Sequence, residues 1–498
     1  SLVAISIFIL SCDFKGVTDD FDIVINNSIF KQQIVVELFD PVNQANLEAD
    51  NILKVEILGR DADKIVTDAG EKVSTSKFAG GAIALAVNPN KNPNNEPVEF
   101  ILKVTGTNYL TTTIPIFLSD KDSTATLSAN LVNKLNTPQG IDYIKNTKPL
   151  VNNTLSSDVS IETSGVKAET KSEITISAGT VFQDANGNTI SGTQIVSEIV
   201  NFSSKNPEAL ASFPGGFMPQ EITDENGNKV NNASFQTAGF VSIEMQIGNK
   251  EVKKFSKPIT IKMQVAADFV NPETGNPIKV GDIIPIWSYS KNDGTWDFHR
   301  KGTVTLDNGN FVVVYSTTHL SWYNLDYYGS RCTNTGWVYR NGSWNYLGNT
   351  KINITMNGIN SNNSVRLYSD FVFAGTNQSV SYWSGKTYNW YNGQQFDLLN
   401  TPSSNLQMVI YSGTDRYRKG TILYRSPAFN PCSGTINFDV SGIVSKLPPP
   451  PVTIFVNYKA NCNGKVIEPT IPIWIKDSNF GYWRYMGYVY RGKITLPG

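Results

Sequence analysis

The chain has 498 residues and a formal net charge of −1, so it lacks the basic excess that a phosphate-neutralising nucleic-acid binder needs. Charged residues make up only 17% and there are two histidines, in a sequence rich in Asn, Thr, Ser, Gly and aromatics. That composition suits polar-faced strands and turns rather than a cytosolic helical enzyme, and the length is that of three or four domains.

Residues 2–10 are an apolar run followed by Ser11 and Cys12. The run is too short for a mature membrane span but has the length of a secretory h-region. Ile9-Leu10-Ser11-Cys12 resembles the lipobox of bacterial lipoproteins. The resemblance implies a signal peptide over 1–12, with Cys12 lipidated by palmitate-like chains that hold the protein to a membrane. Asp13, Asp19, Asp20 and Asp22 follow, and the stretch is similar to the acidic segment behind the cysteine in surface lipoproteins of the Bacteroidota. That implies a bacterial outer-membrane, surface-exposed location, with 13–21 as a linker.

Residues 22–125 carry six strand-like runs separated by turn residues, which predicts an immunoglobulin-like sandwich. Lys103-Val104-Thr105-Gly106-Thr107-Asn108-Tyr109-Leu110 resembles the end of many bacterial immunoglobulin-like modules. Residues 126–150 read as a connector, with a short helix expected over 128–135 and ended by Thr137-Pro138-Gln139-Gly140.

Residues 151–328 form a second unit. Asp184-Ala185-Asn186-Gly187-Asn188 and Asp224-Glu225-Asn226-Gly227-Asn228 place Asn-Gly pairs between strand-like runs, where they suit tight hairpin turns. Their oxygens are also hard ligands suited to calcium. An EF-hand loop counted from Asp184 would need a glutamate where Ile195 stands. No other metal or cofactor is expected. His299 has no cysteine or second histidine near it in sequence and reads as a polar strand residue.

The order of elements in this unit carries a resemblance. Ile176-Ser177-Ala178-Gly179-Thr180 comes first, then Pro258-Ile259-Thr260-Ile261 and Ile284-Pro285-Ile286-Trp287; Gly294-Thr295-Trp296 and Thr318-His319-Leu320-Ser321-Trp322 complete it. It resembles the β-sandwich of ankyrins, netrin receptors and zonula occludens proteins. It is also similar to the autoproteolysis-inducing domain of adhesion receptors and to cartilage intermediate layer proteins. Some members cut their own backbone at His-(Leu/Phe)-(Ser/Thr). Carried over, the Ser321 hydroxyl would attack the Leu320 carbonyl, converting amide to ester, and His319 would move the proton before water hydrolyses the ester. The residues themselves support a plainer reading. His319 and Ser321 fall on the polar face of a closing strand, and Leu320 and Trp322 on its core face.

All nine tryptophans lie from Trp287 onward. Residues 329–446 are an aromatic-rich sandwich, 447–451 a stiff Leu-Pro-Pro-Pro-Pro linker, and 452–498 a further β module that reads as unfinished. Trp383, Trp390 and Tyr391 are the glycan-binding candidates, because sugar C–H faces stack on exposed rings. Cys332 and Cys432 are natural disulfide partners in an exported protein. Cys462 would be left over, and a Cys432–Cys462 pairing stays open. The fold class is all-β, a tandem row of sandwiches. The function expected is that of a lipoprotein binding or scaffolding at the cell surface, its partner another outer-membrane protein or a glycan. A self-cleaving surface protein and a glycan-binding uptake component are the alternatives. The only chemistry expected is single-turnover autoproteolysis.

Overall fold

The computed structural model of the chain describes residues 30–497 except 44, 48–52, 74–80, 119–124, 220, 232, 291–293, 333–335, 341–342, 348–349, 381–385, 399–400, 414–418, 433, 448–452, 458, 463–464, 469–470, 477–482 and 492. The protein is all-β. Among the described residues no helix is long and apolar enough to cross a membrane.

The first module is a sandwich of two sheets. β1 (Gln33–Asp40) lies in one, β2 (Leu53–Leu58) in the other, and β3 (Ile65–Thr67) and β4 (Ala82–Val87) extend the first. β5 (Val98–Gly106) pairs with both β2 and β6 (Thr112–Leu118). Ile34, Val36 and Leu38 share one core with Phe100, Leu102 and Val104, as period-two alternation requires.

The connector departs from expectation. No helix forms over 128–135. Instead β7 (Ala125–Asn130) runs parallel to β1, from Ile34 opposite Ala125 to Phe39 opposite Asn130. Leu127, Ala129 and Leu131 recur every second residue and are buried in the first core. That spacing cannot be satisfied by one face of a helix.

The middle unit is a fourteen-stranded sheet folded on itself. Its strands are β8 (Ile141–Pro149), β9 (Val159–Glu162), β10 (Ser172–Ile176) and β11 (Gln194–Phe202), then β12 (Ala233–Ile247) and β13 (Lys254–Gln264). β14 (Ile283–Ser290), β15 (Thr295–Asp307), β16 (Asn310–His319) and β17 (Trp322–Ser330) complete its main path, and four two-residue strands, Phe182–Gln183, Ile222–Thr223, Lys229–Val230 and Lys250–Glu251, pair beside it. The order is β9-β10-β13-β16-β15-β14-β17-β12-β11-β8, so β8 belongs to this unit rather than to a connector. β15 joins the layers. Its residues Thr295 to Thr303 pair with β14, and Val304 to Asp307 pair with β16. At the crossing a bulge opposite Ile286 and Trp287 leaves His299 unopposed, because Ile286 faces Arg300 and Trp287 faces Phe298.

Both faces of the β14-β17-β12 layer are covered. One faces the interior with Ile243, Ile286, Tyr323 and Leu325. The other carries a second cluster of Phe202, Phe235, Phe240, Trp287, Trp296 and Trp322, which Phe213 and Phe217 cap. Phe213 stands in the turn after α1 (Pro207–Leu210), and its ring stacks on Trp296 at 5.0 Å. Leu110 and Val132 from the first module complete the cluster. Tyr289 Oη donates to Thr113 Oγ1 at 2.9 Å, and a Cβ on Gly294 would lie 2.5 Å from Ile101 Cδ1. The first two modules therefore pack through a shared core.

The third module begins with an antiparallel hairpin of Gly336–Arg340 and Ser343–Leu347 and continues in two larger sheets. β18 (Lys351–Thr355) pairs with β21 (Gln395–Asp397) and β24 (Thr435–Asp439); β19 (Val365–Phe373) pairs with β20 (Lys386–Trp390) and β22 (Leu406–Tyr411), and β22 with β23 (Ile422–Arg425). Gln378 of this module reaches back to β12, donating to Phe235 O at 2.7 Å and accepting from Thr237 N at 3.1 Å.

In the last module β25 (Thr453–Asn457) pairs with β28 (Lys493–Pro497), and β26 (Ile471–Lys476) with β27 (Trp483–Val489). The tetrapeptide Ile-Pro-Ile-Trp at 284–287 and again at 471–474 lies at the same structural position both times. Each copy is a hairpin strand with a register shift between the second Ile and the Trp.

Candidate functional site

β16 ends at His319 and β17 begins at Trp322, so Leu320 and Ser321 form the link between two strands of the folded sheet. Leu320 N donates to Lys253 O at 2.9 Å. Ser321 is buried rather than on a polar face, at 8% exposure. Its hydroxyl donates to Tyr289 O at 2.6 Å and accepts from Tyr289 N at 3.0 Å. Both directions of the Ser321 hydroxyl are thus spent on β14. None of His319, Leu320 and Ser321 lies in the left-handed backbone region. Trp322 and Tyr323 point to opposite faces, one into each aromatic or aliphatic core. This corrects the expectation in two ways: the layer has no solvent face, and Leu320 and Trp322 enter different cores rather than sharing one.

His319 is half-buried, with Nδ1 3.2 Å from Thr317 Oγ1. The Tyr323 hydroxyl donates to His319 O at 2.5 Å and lies 2.8 Å from Thr317 Oγ1. Self-cleavage needs a hydroxyl free to approach the Leu320 carbonyl and a base beside it. The observed bonds hold both groups elsewhere. The chain is expected to run as one full-length species on a denaturing gel, with Ser321→Ala unchanged. Two fragments meeting between Leu320 and Ser321, abolished by Ser321→Ala, would establish the cut.

The structure adds a partner to His319 that the sequence reading missed. His299 lies against it, ring centroids 5.4 Å apart and edge to face. Tyr315 and Tyr323 close the box, each within about 6 Å of His299. A signal existed. The hairpin pairs Val304 with Val313 around its Asn308-Gly309 turn, and extending that register puts 299 beside 318.

Farther along β17, Asn324 and Asp326 are fully buried. Asn324 Nδ2 donates to Asp326 Oδ2, and Thr237 Oγ1 donates to Asn324 Oδ1 at 2.9 Å. Asp326 Oδ1 has no hydrogen-bond partner. Burial raises the Asp326 carboxyl well above the usual carboxylate range, against the bonds from Asn324 and Thr237. Thr237 begins a bulge completed by Gly239, whose φ of 145° suits glycine.

The other sequence candidates separate clearly. Cys12 and Trp383 lie outside the described residues. Cys332 and Cys432 form a disulfide; Cys462 ends a short strand, Ala460–Cys462, and its side chain lies outside the description. Trp390 is a correction to the glycan reading. It is 0% exposed, inside the third core, and its Nε1 donates to Leu367 O at 3.2 Å. A ring with no accessible face cannot stack on a sugar. Tyr391 is half-buried. In the Asp184 loop the carboxylate accepts from Asn186 N and Asn188 N at 2.9 Å and from Asn188 Nδ2 at 3.1 Å. The Asp224 loop repeats these bonds with Asn226 and Asn228. Both loops are carboxylate-capped turns. Among the described residues no group of three His, Cys, Asp or Glu is placed to hold a metal ion.

No family model and no curated protein matches the chain. Solved structures give distant likenesses. BcpA, the major pilin subunit of Bacillus cereus, is 9% identical over 82% of this chain and 98% of that chain, with a TM-score of 0.13. The full-length major pilin SpaD from Corynebacterium diphtheriae is 8% identical over 82% of this chain and 96% of that one, also at 0.13. The Bacillus anthracis TIE protein is 9% identical over 82% of this chain and 50% of that chain, at 0.12. Likenesses this low carry no functional argument, and the all-β class stands on the strands described above.

Proposed function

We propose that this chain is an exported cell-surface protein that binds or scaffolds, built as a stiff row of β-sandwiches and held to a bacterial outer membrane by a lipid on Cys12. The observation that carries the exported part is the Cys332–Cys432 disulfide. Such bonds persist in oxidising compartments and are rare in the cytosol. Module packing supports the scaffold part. The Tyr289–Thr113 bond and the Gln378 bonds to β12 hold three consecutive modules to one another, as a load-transmitting stalk requires. The lipid anchor rests on the apolar run and lipobox-like residues before Cys12.

The test is fractionation of bacteria expressing the full chain or Cys12→Ala. The unaltered chain is expected in the outer-membrane fraction, labelled by radioactive palmitate and digested by protease added to intact cells. Cys12→Ala should lose the label and leave the membrane. An unaltered chain found unlabelled in the cytosol with free thiols at 332 and 432 would overturn the reading.

A further inference from the structure

The two histidines of the chain, twenty residues apart in sequence, meet at the corner where β15 passes from one layer of the middle sandwich to the other. We propose that this pair is an acid-responsive latch: protonation of one ring opens the corner between β15, β16 and β17 and frees the link through Leu320 and Ser321.

The geometry makes the neutral pair stable and the charged pair unwelcome. His299 is the bulged residue of β15, unopposed on β14, and its ring is held from β16 by a backbone hydrogen bond at Ser316. Its Nε2 is buried without a hydrogen-bond partner, so no acceptor waits for the proton that nitrogen would gain. The charged groups near the pair are of both signs. Arg300 adjoins His299 on β15, and Lys254 on β13 is paired directly with His319. Asp297 on β15 is the carboxylate that acts on His319. Tyr315 from β16 and Tyr323 from β17 present hydroxyls whose pKa burial raises, so they supply no negative charge at neutral pH.

Burial first, then His319 and Arg300, push the His299 pKa down to about 4, against a backbone hydrogen bond with Ser316. Burial lowers the His319 pKa as well, and Asp297 partly offsets it. In an opened corner both rings return toward about 6.5. A folded pKa below the open value means that the latch holds fully above that value. It weakens as pH falls from about 6.5 toward 4, because only the open form takes the proton. Asp326 has the opposite sign: its raised pKa gives stability that is present in acid and lost as pH rises. A global melting curve would mix the two, so the measurement must be local.

The full-length protein, labelled with ¹³C in histidine, gives two ring signals whose titration between about pH 8 and pH 4 reads both pKa values. Hydrogen exchange at about pH 7.5 and pH 5, corrected for intrinsic rates, reads the corner itself. Both rings are expected to titrate below the free value. Residues 297–301 and 316–322 should lose about tenfold in protection at the lower pH relative to the rest of the middle unit. His299→Phe, which keeps a ring in the box and leaves only His319 to titrate, should make that loss clearly smaller. Rings titrating at or above about 6.5, protection that does not change with pH, or a loss undiminished in His299→Phe would each overturn the latch. If His299→Phe does not fold, the ring titration and exchange of the unaltered chain decide alone.

Discussion

Replacing Cys332 and Cys432 with serine is expected to destabilise the third module by about 4–5 kcal/mol, the loop-entropy value for a closure of this length. The bond joins positions 100 residues apart, so in the unfolded chain it closes a loop that spans nearly the whole module. Its position also fixes the ends. Cys332 is buried, its N donates to Thr401 O at 3.0 Å, and Arg331 next to it bridges to Pro402. Arg331 itself is tied to the middle unit, donating to Ala233 O at 3.0 Å and Pro219 O at 2.7 Å. The seam between modules should therefore keep its order while the third module loosens. Stepwise urea with limited proteolysis and mass spectrometry separates the two. Cleavage within about 350–440 should move to lower denaturant while the middle unit is unchanged. Identical profiles for the serine double variant and the unaltered protein would show that the bridge contributes nothing.

Trp390→Ala should cost about 3–5 kcal/mol, the range for deleting a large buried aromatic. The ring is fully buried and packs edge-on against Tyr388 and Phe396 at 6.1 and 6.2 Å. Its one polar atom is satisfied by Leu367 O, so truncation both leaves a cavity and removes a buried hydrogen bond. A sugar platform behaves differently: there the same change removes binding and leaves stability within about 0.5 kcal/mol. Thermal denaturation followed by proteolytic mapping of the third module distinguishes the two. A variant as stable as the unaltered chain would sink the core assignment. Tyr391→Ala, at a half-buried neighbour, is the natural comparison and should cost less.

Much of the fold was legible because β patterning is local. The run over 98–104 sets Glu99 and Lys103 between apolar residues, the run over 112–118 is apolar from Ile114 onward, and both became strands with Phe100, Leu102, Ile114 and Ile116 inside. The Asp-x-Asn-Gly-Asn stretches announced turns because an Asx carboxylate and a glycine with positive φ act within five residues. The cysteine pair was legible from the ends of a composition block. The helix expected over 128–135 failed because β7 is stabilised by parallel pairing to β1, some 90 residues earlier, a partner no local propensity reports. Trp390 was misread because composition counts rings without saying which way they face.

For the candidate site the division has the same origin. The sequence by itself determined the class of the fold, the turn positions and the strand end at His319, and it favoured the Cys332–Cys432 bridge while leaving Cys432–Cys462 open. Only the tertiary structure decided what that strand end does. Folding the sheet on itself covered both faces of β17, so Ser321 was buried against Tyr289 instead of facing water. The crossing of β15 brought His299 and Arg300 to His319, and the pairing of β13 with β16 set Lys254 opposite it. Period-two alternation fixes which residues share a face. Whether that face meets solvent, a second layer or another titratable group depends on contacts distant in sequence.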